Sequence, residues 1–256
     1  MKFSVLGSGS SGNAYLIQGG ATLILADDGF SFRQLKLRMD ILGLSPADLT
    51  AVVVTHEHAD HVKGLPLLLR RHPLPLYATA GTLECLQELN GQACHTLHPG
   101  HAVKIGDLNL RSFTVSHDAR DAIGFVMEDA SGRKLGLASD LGMVTETVLH
   151  HLHECHLLAL EANHDEEMLR RGPYPFPVQQ RIRSAQGHLS NRQMCHALRD
   201  LAHAGLHCVV PIHLSRTNND PILVKYGVTE VLQKITGPGI GCRLSSQHDV
   251  LPFLEV

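Results

Sequence analysis

The sequence predicts an α/β protein in which two layers of β-strand are covered by helices. Three observations lead there. Apolar runs of strand length recur in both halves of the chain, with segments of helical periodicity between them. Residues able to bind metal sit repeatedly just past the ends of those runs, where a sheet scaffold usually builds a site. No Pro/Gly/Ser-rich linker, charge block, internal repeat or low-complexity tract divides the 256 residues, so one domain over residues 1–256 is expected.

The elements follow in order. Residues 2–6 read as a strand, followed by the flexible loop Gly7-Ser8-Gly9-Ser10-Ser11-Gly12-Asn13. Residues 14–18 and 22–26 read as two strands, and Gly19-Gly20 suits a hairpin turn between them. Residues 30–42 have helical periodicity. The β-branched run at residues 51–55 reads as a buried strand, residues 62–72 as a helix, 74–78 as a strand and 82–90 as a short helix. Strands are expected at residues 102–105, 108–115, 122–128 and 134–138, then a helix at 145–153 and a buried strand at 157–161. A helix at 191–204, a strand at 208–212, a helix at 226–236 and a short strand near 251–254 close the series.

Composition narrows the function. The chain is 43% hydrophobic, enough to bury a core without disulfides. A net charge of −3 excludes a global basic field, so any polyanion site must be a local patch or a bound metal. None of the six cysteines forms a Cys-x-x-Cys pair, which argues against a zinc ribbon or a thioredoxin-type redox site. The first 25 residues lack the long apolar stretch of a secretory signal, and no run approaches the roughly 20 apolar residues that span a bilayer. A soluble chain in a reducing, cytoplasmic compartment is expected.

Histidine is the outlier, with 19 residues. In such a chain a lone histidine means little, and only spacing can promote one. The strand at 51–55 runs into His56-Glu57-His58-Ala59-Asp60-His61. Side chains two apart in an extended segment point the same way, so His56 and His58 can reach one metal together. Asp60 and His61 follow as the chain turns into a helix and can face a neighbouring metal. Imidazoles and a carboxylate suit zinc, manganese or iron better than calcium. Three later ligand types sit just past apolar strands: His117 in Ser116-His117-Asp118, Asp140 in Ser139-Asp140-Leu141-Gly142, and His213 in Ile212-His213-Leu214-Ser215. Each taken singly reads as readily as a surface residue or a satisfied cap. Together with the first motif they point to metal.

With these residues in place the chain resembles the metallo-β-lactamase superfamily over nearly its whole length. It carries the His-x-His-x-Asp-His motif followed by spaced His, Asp and His. The resemblance implies that His56, His58 and His117 hold a first metal, that Asp60, His61 and His213 hold a second, and that Asp140 bridges both. The implied fold is an αβ/βα four-layer sandwich with the site at one edge of the sheets. The implied cofactors are two divalent ions, zinc or manganese with iron an option, that share a hydroxide and lower its pKa toward neutrality.

Within the superfamily the chain is most similar to the YycJ/WalJ-type branch. The matching stretches are residues 7–13, 55–61, Val115-Ser116-His117-Asp118-Ala119, Glu161-Ala162-Asn163-His164-Asp165, Gly172-Pro173-Tyr174-Pro175 and Gly187-His188-Leu189-Ser190-Asn191. That branch is associated with nuclease activity, chiefly 5′→3′ exonuclease action on DNA. One departure is Asp27-Asp28-Gly29, where the pattern has Asp-Ala-Gly or Asp-Cys-Gly. No insertion of the extra domain of the β-CASP nucleases is visible.

Asp60 and His188 are the catalytic candidates. His188 precedes an expected helix and can donate a proton to a leaving oxygen, or be a surface residue. Ser190 and Asn191 can cap that helix and offer N–H groups to a phosphate, or merely cap it. Glu161 or Asp165 can orient a ligand histidine. From Met168 to Arg199 the chain carries Arg170, Arg171, Arg181, Arg183, Arg192 and Arg199 without an acid, with Tyr174 and Phe176 interleaved. This stretch, Arg181 and Arg183 above all, reads as a track for a nucleic-acid backbone, or as a solvated face whose arginines pair with acids elsewhere. The expected substrate is nucleic acid, DNA by the resemblance, and no membrane is involved. A glyoxalase-like thioester or lactone hydrolase is the alternative, since it uses the same metals and needs no basic stretch. A non-catalytic binding protein is the third, and the intact ligand set speaks against it.

Overall fold

Two seven-stranded mixed sheets stack face to face in the computed structural model, which describes residues 1–86, 89, 92–236 and 239–256. The first sheet begins with β1 (Lys2–Gly7), β2 (Ala14–Gly19) and β3 (Thr22–Ala26), paired antiparallel. Parallel strands β4 (Ala51–Val53), β5 (Leu76–Thr79) and β6 (Cys94–Leu97) extend it. Parallel pairing needs crossovers, and these carry α1 (Phe32–Ile41), α2 (Ala59–Val62), α3 (Leu65–Arg71) and α4 (Ala80–Cys85).

The second sheet repeats the plan. Antiparallel β7 (Ala102–Ile105), β8 (Leu108–Thr114), β9 (Ile123–Glu128) and β10 (Lys134–Ala138) are followed by parallel β11 (Leu157–Glu161), β12 (Cys208–Ile212) and β13 (Gly241–Cys242). Its connections carry α5 (Glu146–Leu152), α6 (Glu166–Arg171), α7 (Phe176–Ile182), α8 (Asn191–Leu201) and α9 (Pro221–Thr236). Finally β14 (Leu251–Glu255) returns to the first sheet beside β1.

Side-chain alternation divides the core. Phe3, Tyr15, Ile24 and Val53 meet Leu110, Phe125, Leu137 and Val210 between the sheets. Leu16, Leu25 and Val52 face outward onto Leu35 and Met39 of α1 and Leu65 and Leu68 of α3. Leu158, Leu160 and Val209 face outward onto Leu152 of α5, Met194 and Leu198 of α8, and Val224 of α9. Strands covered on both faces read as unbroken apolar runs, as residues 51–53 and 157–160 do. The layers are therefore helix, sheet, sheet, helix: the expected αβ/βα sandwich.

Several boundaries differ from the sequence expectation. The helix expected at 62–72 is two helices, α2 and α3, parted at Lys63-Gly64. A side chain at Gly64 would collide with the Phe30 carbonyl and the Asp28 carboxylate. The strand expected to reach residue 55 ends at Val53, leaving the metal motif on a loop. α9 starts at Pro221 rather than 226, because the Asp220 carboxylate accepts from Ile222 N at 2.8 Å and proline suits a first turn. Of the helix expected at 82–90, α4 covers the beginning, and residues 87, 88 and 90 lie outside the described residues. The short elements α6, α7, β6 and β13 were not expected.

Candidate metal centre

The candidate ligands all follow strand ends at one edge of the sandwich. His56, His58, Asp60 and His61 follow β4, His117 follows β8, Asp140 follows β10, and His213 follows β12 directly. The structure brings all seven together. His56, His58 and His117 present ligand atoms within 4.8 Å of one another, as do Asp60, His61 and His213. Asp140 groups with His56 and His61, one residue from each set, and so lies between them.

Three of the imidazoles, those of His61, His117 and His213, are aimed by a partner on their far side. His61 Nδ1 lies 2.8 Å from Asp27 Oδ2, and Asp27 accepts from Thr55 N at 2.8 Å and Thr55 Oγ1 at 2.9 Å. His61 Nε2 is left facing Asp140 Oδ2 at 3.2 Å. His117 Nδ1 lies 3.2 Å from the Gly187 carbonyl. His213 Nδ1 lies 2.8 Å from Glu161 Oε1. Glu161, fully buried, also meets His188 Nδ1 at 2.8 Å and accepts from Leu141 N and Leu189 N.

Electrostatics follow from this packing. Burial pushes His56 well below its ordinary value, with the charge of His61 adding to it, so its ring is neutral as metal binding requires. Burial works against protonated His61, but Asp140 and Asp27 prevail and raise it to about 10. His213 is likewise held high against burial, chiefly by Asp140. Asp140 stays well below the carboxylate range despite burial, because of the nearby charges of His213 and His61.

A cation fits this cluster. Among the described residues, His56 Nε2, Asp140 Oδ2 and His213 Nε2 are buried without a well-aligned hydrogen-bond partner, although Asp140 Oδ2 lies 3.2 Å from His61 Nε2 and His213 Nε2 lies 3.5 Å from Asp60 Oδ2. An orphaned buried polar atom costs roughly 1–3 kcal/mol, and three in one cluster call for a shared ligand. Imidazole and carboxylate donors suit a borderline divalent metal.

The other predicted residues fall out differently. Asp60 and His188 line the pocket beside the cluster, together with Ser10, Asp118, Val178, Arg181 and Ile182. Ser190 and Asn191 do not line it. Ser190 caps α8, accepting from Gln193 N and donating to Glu166 Oε1, while its own N–H goes to Gln193 Oε1. Asn191 N–H goes to the His164 carbonyl, and its amide pairs with Asn219. Arg183 is exposed, just past α7, and does not line the pocket. Asn13 was missed by sequence reasoning. It is fully buried, donates from its backbone to the Asp60 carbonyl at 2.7 Å, and places Nδ2 3.2 Å from Asp60 Oδ2. Only its place in the Gly/Ser loop hinted at this.

Fold and cluster together define a metal-dependent hydrolase class. Residues 22–214 match the family described as the β-lactamase superfamily domain. The exodeoxyribonuclease YycJ of Bacillus anthracis is 34% identical, covering 94% of this chain and 92% of that protein. The exodeoxyribonuclease WalJ of Streptococcus pneumoniae is 30% identical, covering 100% of this chain and 98% of that protein. The crystal structure of Zn2+-bound PqqB from Methylobacterium extorquens shares the fold, with a TM-score of 0.72, 17% identity and full coverage of both chains. The chain thus belongs to the metallo-β-lactamase superfamily, in its YycJ/WalJ-type branch. Among the described residues, no helix is long and apolar enough to cross a membrane.

Proposed function

We propose that the chain is an exonuclease acting on DNA from the 5′ end. In this reading His56, His58 and His117 would hold one divalent ion and Asp60, His61 and His213 a second, with Asp140 as a shared ligand. Zinc or manganese suits the donors best. The carrying observation is that His56 Nε2, Asp140 Oδ2 and His213 Nε2 are buried without a well-aligned partner inside one cluster of metal-ligating side chains. The names of the two relatives supply the substrate class.

Bound metal supplies Lewis acidity for the phosphoryl oxygens and acidifies the attacking water. The chain's own groups do the rest. Asp60 remains ionised, since burial is outweighed by the neighbouring His213 and the charge of His61, and can accept a hydrogen bond from the attacking water. His188 stays protonated to higher pH than a free histidine, because Glu161 outweighs burial. With Nδ1 committed to Glu161, its Nε2 is the atom to protonate the leaving oxygen. Arg181 offers a guanidinium to a flanking phosphate.

Pairing of β1 with β14 and the family match across 22–214 support one domain over residues 1–256. Six free cysteines support a reducing, cytoplasmic setting. The test is degradation of end-labelled duplex and single-stranded DNA and RNA with zinc, manganese or magnesium. Mononucleotide release from the 5′ end of DNA, abolished by chelator, is expected. Cleavage of thioesters or lactones with every nucleic acid left intact would overturn the reading.

A further inference from the structure

The pocket beside the metal centre has a volume of about 230 Å³, and Arg181 is the one arginine that lines it among the described residues. Its guanidinium is already engaged. Nε donates to Asp118 Oδ2 at 2.7 Å, and a terminal nitrogen pairs with the same oxygen. Asp118 also lines the pocket, and its other oxygen lies 3.5 Å from His117 Nε2. A carboxylate therefore holds the pocket's arginine directly beside the reacting centre.

Two features make this pairing exchangeable. Arg181 is 70% exposed and Asp118 27% exposed, so the ion pair is screened and adds little stability. Three other hydrogen bonds also join the two loops. Asp118 N donates to the Gln186 carbonyl at 3.1 Å, Ser116 Oγ donates to the Ala185 carbonyl at 2.6 Å, and His117 Nδ1 meets the Gly187 carbonyl. None of these bonds involves the Arg181–Asp118 ion pair. A phosphate presents the same oxygen geometry to a guanidinium as a carboxylate does, with more charge.

We propose that Asp118 is an internal stand-in for a substrate phosphate: it parks Arg181 at the pocket, and a phosphate group of the nucleic acid displaces it on binding. Asp118 is thereby a specificity-determining residue. Its competition discounts weakly anionic ligands, which cannot displace a carboxylate, and leaves phosphates favoured. The proposal rests on the nuclease reading above.

The test is a double-mutant cycle on the metal-loaded protein with thymidine 5′-monophosphate as the probe, read by calorimetry. Asp118→Asn should tighten binding roughly two- to fivefold, the equivalent of losing an exposed ion pair. Arg181→Ala should weaken binding, and adding Asp118→Asn to it should change nothing further. In the parent, the Arg181 Nε–H resonance should shift as the mononucleotide is added. Equal tightening with and without Arg181 would mean that Asp118 merely repels anions, and would overturn the exchange while DNA cleavage continued. Mononucleotide binding that leaves the Nε–H resonance unmoved would overturn it as well. A parent that neither binds the mononucleotide nor degrades DNA would sink the nuclease reading and the exchange with it. Amide spectra of each variant separate these outcomes from misfolding.

Discussion

Asp27, Asp140 and His213 hold left-handed backbone, at φ of 58°, 55° and 56°. Such a conformation costs a non-glycine residue about 1–3 kcal/mol, and it recurs here at strand ends that turn a polar group into the site. Asp140 shows what the strain serves: both of its oxygens approach ligand histidines, Oδ2 toward His61 and Oδ1 toward His213 at 3.3 Å. Asp140→Ala should leave the fold intact by circular dichroism, lower the bound metal, and cut turnover by roughly 100-fold or more. Stoichiometric metal with near-parental turnover would remove it from the metal centre. Asp28, the residue that departs from the family pattern, behaves otherwise. It is fully buried, its oxygens lack a well-aligned partner, and burial raises its carboxyl well above the ordinary range against a weak pull from the Phe30 N–H. A carboxyl raised on folding contributes stability that is present below its unfolded value, about 3.9, and lost as pH rises through its folded value. Asp28→Ala should therefore be more stable than the parent at neutral pH, by about 1–3 kcal/mol, in denaturant or thermal unfolding. That advantage should shrink as pH falls toward the unfolded value. An advantage that persists in acid would mean that Asp28 is strained rather than desolvated.

Loops, rather than strands, interlock around the site. Asn13 N donates to the Asp60 carbonyl at 2.7 Å, Asp28 N to the His61 carbonyl at 2.7 Å, and Gly29 N to the Asn13 carbonyl at 3.0 Å. This triple contact leaves no room at Gly29, where a Cβ would collide with the Asp60 carbonyl. Gly29→Ala should destabilise the chain by about 1–3 kcal/mol through overpacking and should also lower metal content, because Asp60 and His61 must move. A drop in melting temperature with full metal binding would show that the loop yields elsewhere. These contacts explain what could be read in advance. Strands such as β4 and β11 are buried on both faces, so their apolar runs are legible, and the histidine motif lies where β4 ends. The partners are less legible. Asn13 is 47 residues from Asp60, and no local spacing marks that contact. Asp27 is 34 residues from His61. Short α7 has no side-chain cap, and its Pro175 and Pro177 read as breakers although proline suits a first turn. Exposed β6 lacks the alternation that would reveal it, with three of its four residues facing solvent.

Across the whole molecule the charge is slightly negative, and the arginine stretch is less free than its sequence implies. Arg170 and Arg171 pair with Glu167, Arg192 pairs with Glu166, and Arg181 pairs with Asp118. Among the described residues, Arg183 and Arg199 have no acidic partner. The acids come from just before the stretch and from the β8–β9 connection, so a window that begins at Met168 conceals them. A nucleic-acid track over this face must therefore rest on few cations, and two of its arginines play separable parts. Arg181 lines the metal pocket, whereas Arg183 stands outside it. Each phosphate neutralised contributes about −0.9 to the slope of log affinity against log salt. Arg183→Ala should weaken binding of a long DNA strand and flatten that slope by about 0.9, while hydrolysis of a small chromogenic phosphodiester stays at the parental rate. Arg181→Ala should lower both, because its guanidinium reaches the pocket that the small substrate enters. Binding titrations from low to moderate salt, run beside small-substrate kinetics, separate the two. If Arg183→Ala left the salt slope unchanged, the DNA would not cross this face. If it slowed the small substrate as much as Arg181→Ala did, its effect would reach the pocket through α7 rather than through contact with a distant phosphate.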